Sequence, residues 1–588
     1  MATIMCLPEE VITIILGYND ITVEDIINFR CVCKQFQWVG KFEKYKEKKF
    51  LQRWPSAKKS FDKYCKENEQ RKSKGNEQEM SKENEQKNKK DFIKIGLFYA
   101  RELQNYVSKI VNSHYGMNKT IDNLIKFDYI FNENPYLIND IVDIVYQHKS
   151  FIKYSFFIDE IKNLLTQSPR ITGCDLTKRY CNIKLFYFMR QCFVKKKLIR
   201  YISQPYETHL LERTATLVAQ LFQPEKDIFY SNIKKSLDDI KLDVLRCLRI
   251  KHPNHSIFST SPKILSYWEN CNIINNYWNE AERIQIMDIL KEYIFSKFQL
   301  RRWKMSSNAK LENMCIDNVL KNKCGHELIL LIIYHSVARK LGLRCDVIRL
   351  GYYFSHFFIL WKPNYITSSI KNMRCFNISS KEICPFYHGI KYRDEEPTSI
   401  QSNFVYIDEL RTGQFWKQLL WLDFGFMLDG SIHLIENNKT NALKLSVEKT
   451  KLYTRPEDVK FAVGMIVVHQ PANCAGVIVG WHQHLDRHRV TISIKCLPGP
   501  SCMHMCELTH YRNTDFIKKQ TNYIILTENN KMCYVEEDTI TLTAPRWIDN
   551  SEIGRYFCKF EGTHYVPNKM LARLYPQDAA ITATLKYN

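Results

Sequence analysis

The chain has 588 residues, of which 45% are hydrophobic and 13% aromatic, with 20 cysteines and a formal net charge of +22. That length allows about four domains and a large core, and no apolar run reaches the roughly 18 residues of a membrane helix; the longest, Leu328 to Tyr334, stops at His335. The chain therefore reads as a soluble multi-domain protein without a secretory leader. Its scattered cysteines are expected as free thiols in a reducing compartment, cytoplasmic or nuclear or both. The positive charge favours acidic partners without choosing among them, and lysine clusters such as Lys46 to Lys49 and Lys195 to Lys197 read as solvated helix faces.

In chain order, Pro8 suits the opening turn of a helix, and Glu9 and Glu10 sit where the helix dipole favours negative charge. Val11, Ile12, Ile15 and Leu16 form one apolar stripe, and Gly17, Asn19 and Asp20 supply a stop and a turn. Thr22 can cap a second helix carrying Ile26, Phe29, Arg30, Val32 and Cys33, and Phe36 and Trp38 continue the pattern in a third. Some forty residues cannot bury that much apolar surface alone, so the segment either packs on its own domain or is completed by a partner.

The strings LPEEVITIIL and DITVEDIINFRCVCKQFQ resemble an F-box, the module that docks proteins onto the Skp adaptor of cullin-RING ubiquitin ligases. The resemblance implies adaptor contact by Leu7, Pro8, Ile12, Ile15, Leu16, Ile26, Phe29, Val32 and Cys33.

Residues 66–90 hold, apart from Met80, only Lys, Glu, Asn, Gln, Arg, Ser and Gly, with KENEQ at Lys66 and again at Lys82. They read as a disordered or transiently helical linker that tethers the docking module to the rest of the chain. From residue 91 to 300 the periodicity is helical. Phe92, Ile95, Phe98, Tyr99 and Leu103 form one expected core stripe, and Ile233, Leu237, Ile240 and Val244 another.

Residues 301–450 hold the segment that hints at catalysis. Cys324-Gly325 precedes a helix with Leu328, Leu331, Ile332, His335 and Leu341, and His356 opens the run HFFILW. A thiol near a helix N-terminus with a histidine base on a strand would make a nucleophile; the same residues also arise as ordinary core.

The pattern from VLKNKCGHELILL to SHFF resembles the SirB-type branch of the transglutaminase-like fold, and His356 matches that family's histidine. Ile329 stands where relatives carry the nucleophile, and an alkyl group cannot attack a carbonyl. Asn377 lies where an Asp is expected, with Asp408 a distant substitute. Cys324 lies about 140° around the helix from Ile329. The expectation is a degenerate fold with no catalytic residue, in which Cys324 and His356 are remnants.

From Phe461 on, FAVGMIVVHQ, AGVIVGWH, RVTISIKC, YIILTENNKMCYV and TITL read as short strands, with Asn529-Asn530 marking a hairpin. His482, His484, His488, Cys502, His504, Cys506 and His510 fit no defensible zinc spacing beyond the Cys502/Cys506 pair and read as turn and strand-surface residues. VGMIVVH, AGVIVGWH and NYIILTENNKMCYV resemble the YccV or HspQ-type domain, a small β-barrel described as binding hemimethylated DNA, with Trp481 carrying the match and the expected recognition role.

The expected fold is multi-domain α+β: an F-box of three helices over 4–50, the linker over 66–90, a helical region over 91–300, the degenerate transglutaminase-like α/β segment over 301–450 and a YccV/HspQ-like barrel over 455–580. F-box proteins with these modules in this order imply a substrate-recognition subunit of a Skp-cullin-F-box ubiquitin ligase. Such a subunit would work by proximity, with no cofactor, no metal and no active site of its own. The expected partners are the Skp adaptor, through it the cullin-RING ligase, and a protein substrate, with nucleic acid a further possibility and no membrane. Two other readings stay open: a cysteine hydrolase or acyl-transfer enzyme using Cys324 and His356, and a DNA-binding protein acting through the barrel.

Overall fold

A computed structural model describes residues 7–18, 21, 23–40, 42–72, 82–116, 151–170, 173–303, 311–350, 357–361, 374–376, 404–406, 454–482, 521–528, 530 and 532–584. The chain forms two compact units, one built from residues 1–189 together with 437–588 and the other from residues 190–436.

The first unit begins with α1 (Glu9–Leu16), α2 (Val23–Arg30) and α3 (Lys34–Val39). Pro8 is the residue before α1, with Glu9 and Glu10 in its first turn, and the Cys33 sulfur caps α3 by accepting from the Phe36 N–H. These helices enclose a core of Ile12, Leu16, Ile26, Phe36 and Val39, with Phe29 stacked on Phe36 at 4.0 Å.

Next come α4 (Phe42–Arg53) and α5 (Pro55–Lys72). Lys49 on α4 donates to the carbonyls of Tyr18 and Ile21, which ties α4 to the turn after α1. Trp54, between α4 and α5, packs edge-on against Phe92 of α6 (Lys82–Gly116) and Phe156 of α7 (Phe151–Thr166). Glu160 on α7 accepts from Arg53 Nε at 2.9 Å and Trp54 Nε1 at 2.8 Å, and Asp159 accepts from the Ala57 N–H in the first turn of α5.

The segment expected as a linker is thus entered by helix from both sides, α5 running to Lys72 and α6 starting at Lys82; residues 73–81 lie outside the described residues. Lys, Glu, Gln and Arg are good helix formers, so a sequence too polar for a core still extends a helix anchored elsewhere. The expected tether is corrected accordingly: Phe50, Trp54 and Phe61, ahead of that segment, share one core with Phe92 and Phe156 beyond it.

The helical region expected over 91–300 is divided at residue 189, inside α8 (Leu176–Ile202). The second unit continues with α9 (Leu211–Phe222), α10 (Tyr230–Lys251), α11 (Pro262–Asn270) and α12 (Glu280–Glu292), which runs into a π-turn over Tyr293–Lys297. β1 (Arg301–Arg302), α13 (Ile316–Asn322) and β2 (Cys324–Gly325) lead into α14 (Glu327–Lys340). All 14 residues of α14 are buried. The α9 to α13 helices surround it together with β3 (Asp346–Leu350) and β4 (Phe357–Trp361). With β5 (Arg374–Phe376) and β6 (Phe404–Tyr406), these strands form an antiparallel sheet in the order β5-β4-β3-β6.

A helix apolar on every side is stable only when enclosed. Its charged residues are accordingly paired: Arg339 binds Glu212 of α9, and Lys340 binds Asp238 of α10.

The rest of the first unit is an antiparallel sheet of β7 (Ile466–His469), β8 (Cys474–His482), β9 (Asn522–Thr527), β10 (Met532–Glu536) and β11 (Ile540–Leu542), in the order β10-β9-β8-β7-β11. The predicted hairpin is β9-β10, with Asn530 at φ 55° in its turn. RVTISIKC lies outside the described residues.

β10 and β11 lie at opposite edges of the sheet, yet only Glu537–Thr539 separates them in sequence. Flat, the edges would stand about 19 Å apart, whereas four residues reach at most about 14 Å, so the sheet is curled. Among the described residues no ladder joins β10 to β11, so the small barrel expected here is described as a curled sheet.

The hairpin of β12 (Phe557–Phe560) and β13 (Tyr565–Pro567) packs beside it, followed by α15 (Lys569–Leu574) and α16 (Pro576–Ala583). Gly464 allows the close approach: it sits at φ 94°, and a Cβ there would lie 2.2 Å from the Tyr565 carbonyl oxygen.

Candidate functional site

Three places gather the residues singled out in the sequence. The first is the N-terminal helical module. Ile12, Leu16 and Ile26, expected at a partner surface, are the module's own core; Leu7, Ile15, Phe29 and Cys33 are half-buried, and Pro8 and Val32 are exposed. The reason is geometric, because an eight-residue helix has one wide apolar face and that face must close the module first. What remains outside is also apolar: Ile14 is 62% exposed, Val32 65% and Trp38 62%, with Val11 and Tyr18 beside them in sequence and also exposed. Ile14 and Tyr18 were missed because they break the expected stripe. That break was itself the available signal, since a large apolar residue on the far side of a short helix has no internal partner.

The second place is the start of α14. His326 is its N-cap, its Nδ1 accepting from the Leu328 N–H at 3.3 Å, and burial together with nearby Arg302 pushes its imidazole down to about 4. One ring nitrogen of His326 is thus committed to the helix backbone.

Glu327 is buried, with the Arg302 guanidinium 3.7 Å from its carboxylate. Cys324 is half-buried in the two-residue strand β2, paired to Arg301. Ile329, at the family's nucleophile position, is 4% exposed and faces the core of α14 and its neighbours. His356, Asn377 and Asp408 lie outside the described residues. The neighbour of His356, Phe357, has its ring 6.1 Å from that of His326.

The third place is the curled sheet. Trp481 was expected on a recognition surface and is instead 3% exposed, its ring 5.4 Å from that of Tyr575 and its Nε1 donating to Asp578 Oδ2 at 2.8 Å. A tryptophan whose N–H is satisfied by a buried carboxylate from another element is a core anchor. Asp578 also accepts from the Val463 N–H at 2.8 Å and from Arg455 at 3.0 Å, so α16 is clamped to the sheet through one side chain. Among the described residues there is no group of three or more His, Cys, Asp or Glu side chains able to hold a metal; His484, His488, Cys502, His504, Cys506 and His510 lie outside them.

A family model described as transglutaminase-like superfamily matches residues 267–375, from α11 to β5, and one described as hemimethylated DNA-binding protein YccV like matches residues 459–564. F-box only protein 21 of Mus musculus is 20% identical over 503 residues, and that of Homo sapiens 21% identical over 500 residues. Each alignment covers 72% of this chain and 74% of the relative. The protein of the same name from Pongo abelii is 21% identical over 496 residues, again with 72% and 74% covered.

The chain resembles F-box only protein 21.

No solved structure matches it. The two family models give a transglutaminase-like region followed by a YccV-like one, and the structure gives each its place: α14 on its antiparallel sheet in the second unit, and the curled sheet in the first. The clamp through Asp578 lies beyond the residues that the YccV-like model matches. Among the described residues no helix is long and apolar enough to cross a membrane.

Proposed function

We propose that this chain is the substrate receptor of a Skp-cullin-F-box ubiquitin ligase, docking on the Skp adaptor through residues 7–40 and selecting proteins with its later regions. The observation that supports it is the apolar surface left outside a closed three-helix module, Ile14, Val32 and Trp38 foremost, in a chain similar to proteins named F-box only protein 21. Surface of that kind is stabilised by a partner.

Co-purification of the full chain with the Skp adaptor tests the reading, comparing wild type with Ile14→Glu combined with Val32→Glu. Both positions are exposed, so the variant keeps its fold and is expected to lose at least about tenfold in affinity, while Leu16→Ala would lose binding only by unfolding the module. A wild-type chain that does not retain the adaptor overturns the reading.

In this role the transglutaminase-like region acts as a scaffold without a nucleophile, a reading supported by buried Ile329 and by His326 given over to capping α14. Selective alkylation of Cys324, ahead of exposed Cys31, would overturn it. A nucleic-acid role for the curled sheet is the second reading. It rests on the description of the model matching residues 459–564 and predicts binding of the full chain to a hemimethylated duplex that weakens steeply with salt.

A further inference from the structure

In the second unit a half-open cleft of about 400 Å³ lies at the first turn of α9, lined by Gln204, Pro205, Thr208, Leu210, Arg213 and Tyr230, with Asn270 at its rim. That volume falls within the range of about 300–1,000 Å³ typical of small-ligand sites. All of its lining except Asn270 lies ahead of the transglutaminase-like match at 267–375.

Arg213 dominates the cleft. Its guanidinium lies 4.8 Å from the ring centre of Tyr201 and 5.8 Å from that of Tyr230, and among the described residues no carboxylate pairs with it. Cation–π attraction places the guanidinium beside both rings, with its N–H donors not taken up by an acid. Tyr201 is itself anchored, its hydroxyl donating to the carbonyls of Thr208 and Leu210 and accepting from the Leu210 N–H. The acid next to Arg213 in sequence, Glu212, is turned away into the core, where it accepts from Arg339 and Ser336.

Other features of the cleft favour negative charge. Leu210, at the N-cap of α9, brings no side-chain acceptor to the first turn, and Glu212, which accepts from its own amide there, has its carboxylate directed to Arg339 in the core. Burial pushes the Tyr230 phenol up, which keeps it a hydrogen-bond donor. Outside the lining, Lys234 holds Asn270 Oδ1 at 3.2 Å. Pro205 and Leu210 contribute apolar surface beside these polar groups.

We propose that this cleft binds a carboxylate next to an apolar group, in the first place the C-terminal end of a polypeptide. A guanidinium fork flanked by two rings matches the two oxygens of a carboxylate, and Pro205, with the edge of buried Leu210, lines the place of the last side chain. The choice of a polypeptide rests on the receptor role proposed for the chain, whereas the assay needs no adaptor, so the two can fail separately.

Full-length chain is immobilised and offered a pool of hexapeptides randomised at the last three positions, once as free acids and once as C-terminal amides. Wild type is expected to retain at least about tenfold more acid than amide, with Arg213→Ala abolishing the preference and Arg213→Lys keeping only part of it. Arg213 is exposed, so both variants should melt as wild type does. Equal retention of acid and amide, retention of neither, or an acid preference that survives Arg213→Ala overturns the proposal. Displacement of the peptides by an equal concentration of 4-methylpentanoate upholds the carboxylate site and moves its source to a small organic acid.

Discussion

Trp481 Nε1 donates a 2.8 Å hydrogen bond to Asp578 Oδ2, joining the end of β8 to a helix 97 residues later. Asp578→Ala would leave this indole N–H and the Val463 N–H without their acceptor and break the ion pair with Arg455. At about 1–3 kcal/mol for each buried donor left unsatisfied, the cost is expected to be about 3–5 kcal/mol. Trp481→Phe removes one bond and little volume, with a cost of about 1–2 kcal/mol. Urea unfolding followed by tryptophan fluorescence checks both, and a midpoint for Asp578→Ala equal to that of wild type would show that the clamp contributes nothing.

The clamp also marks what could be read from sequence and what could not. β7 to β11 follow from β-branched runs broken by turn residues, and the stripe of Ile233, Leu237, Ile240 and Val244 is buried as its spacing requires. Phe98 was placed in a stripe with Phe92 and is 64% exposed, because six residues carry a helix about 240° round. Pairing between distant charges leaves no local signal. Nothing near Trp481 points to Asp578, nothing near Arg339 to Glu212, and nothing near Trp54 to Glu160. At the N-terminal module the periodicity showed which residues are apolar. It could not show which of them the module would keep for its own core.

The second unit should weaken as the pH falls. Burial and neighbouring Arg339 hold the His335 imidazole down to about 4, against 6.5 ordinarily, and burial with Arg302 does the same for His326. Between pH 6.5 and 4 the unfolded chain therefore binds protons that the folded one excludes, and stability drops with pH by up to about 3 kcal/mol per histidine. Glu212 acts lower. Burial raises its carboxyl, but Arg339, its own amide, Lys340 and Ser336 outweigh this and hold it below its ordinary 4.5, so its contribution is present above that value and is lost as the pH falls further. Urea midpoints from about pH 7 to about pH 4 should fall steadily in wild type, and His335→Leu should remove about half of the fall above pH 4.5. An unchanged slope in His335→Leu would exclude His335 as a source.

Glu160→Ala should free the helices that come after the N-terminal module. The carboxylate is buried and holds both Arg53 and the Trp54 indole, so its removal strands a guanidinium and an N–H at an expected cost of about 3–5 kcal/mol. Hydrogen exchange should show amides of α4 and α5 losing protection while α14 keeps its own. Retained protection in α4 would mean that the aromatic core of Trp54, Phe92 and Phe156 suffices without the ion pair.

Gly96→Ala separates local helix propensity from packing. Position 96 lies inside α6, where exchanging Gly for Ala ordinarily stabilises a helix by about 1 kcal/mol. Here a Cβ would fall 2.3 Å from the Trp54 ring and 2.8 Å from that of Phe156, and both rings are fully buried. The clash should outweigh the propensity gain, giving net destabilisation of about 1–3 kcal/mol and a lower melting temperature. A second substitution, Phe156→Leu, makes room beside the added methyl and should return part of the loss, so that the pair is less harmful than the sum of the two single changes. Strict additivity in that cycle, or a Gly96→Ala chain more stable than wild type, would mean that α6 does not approach Trp54 through Gly96.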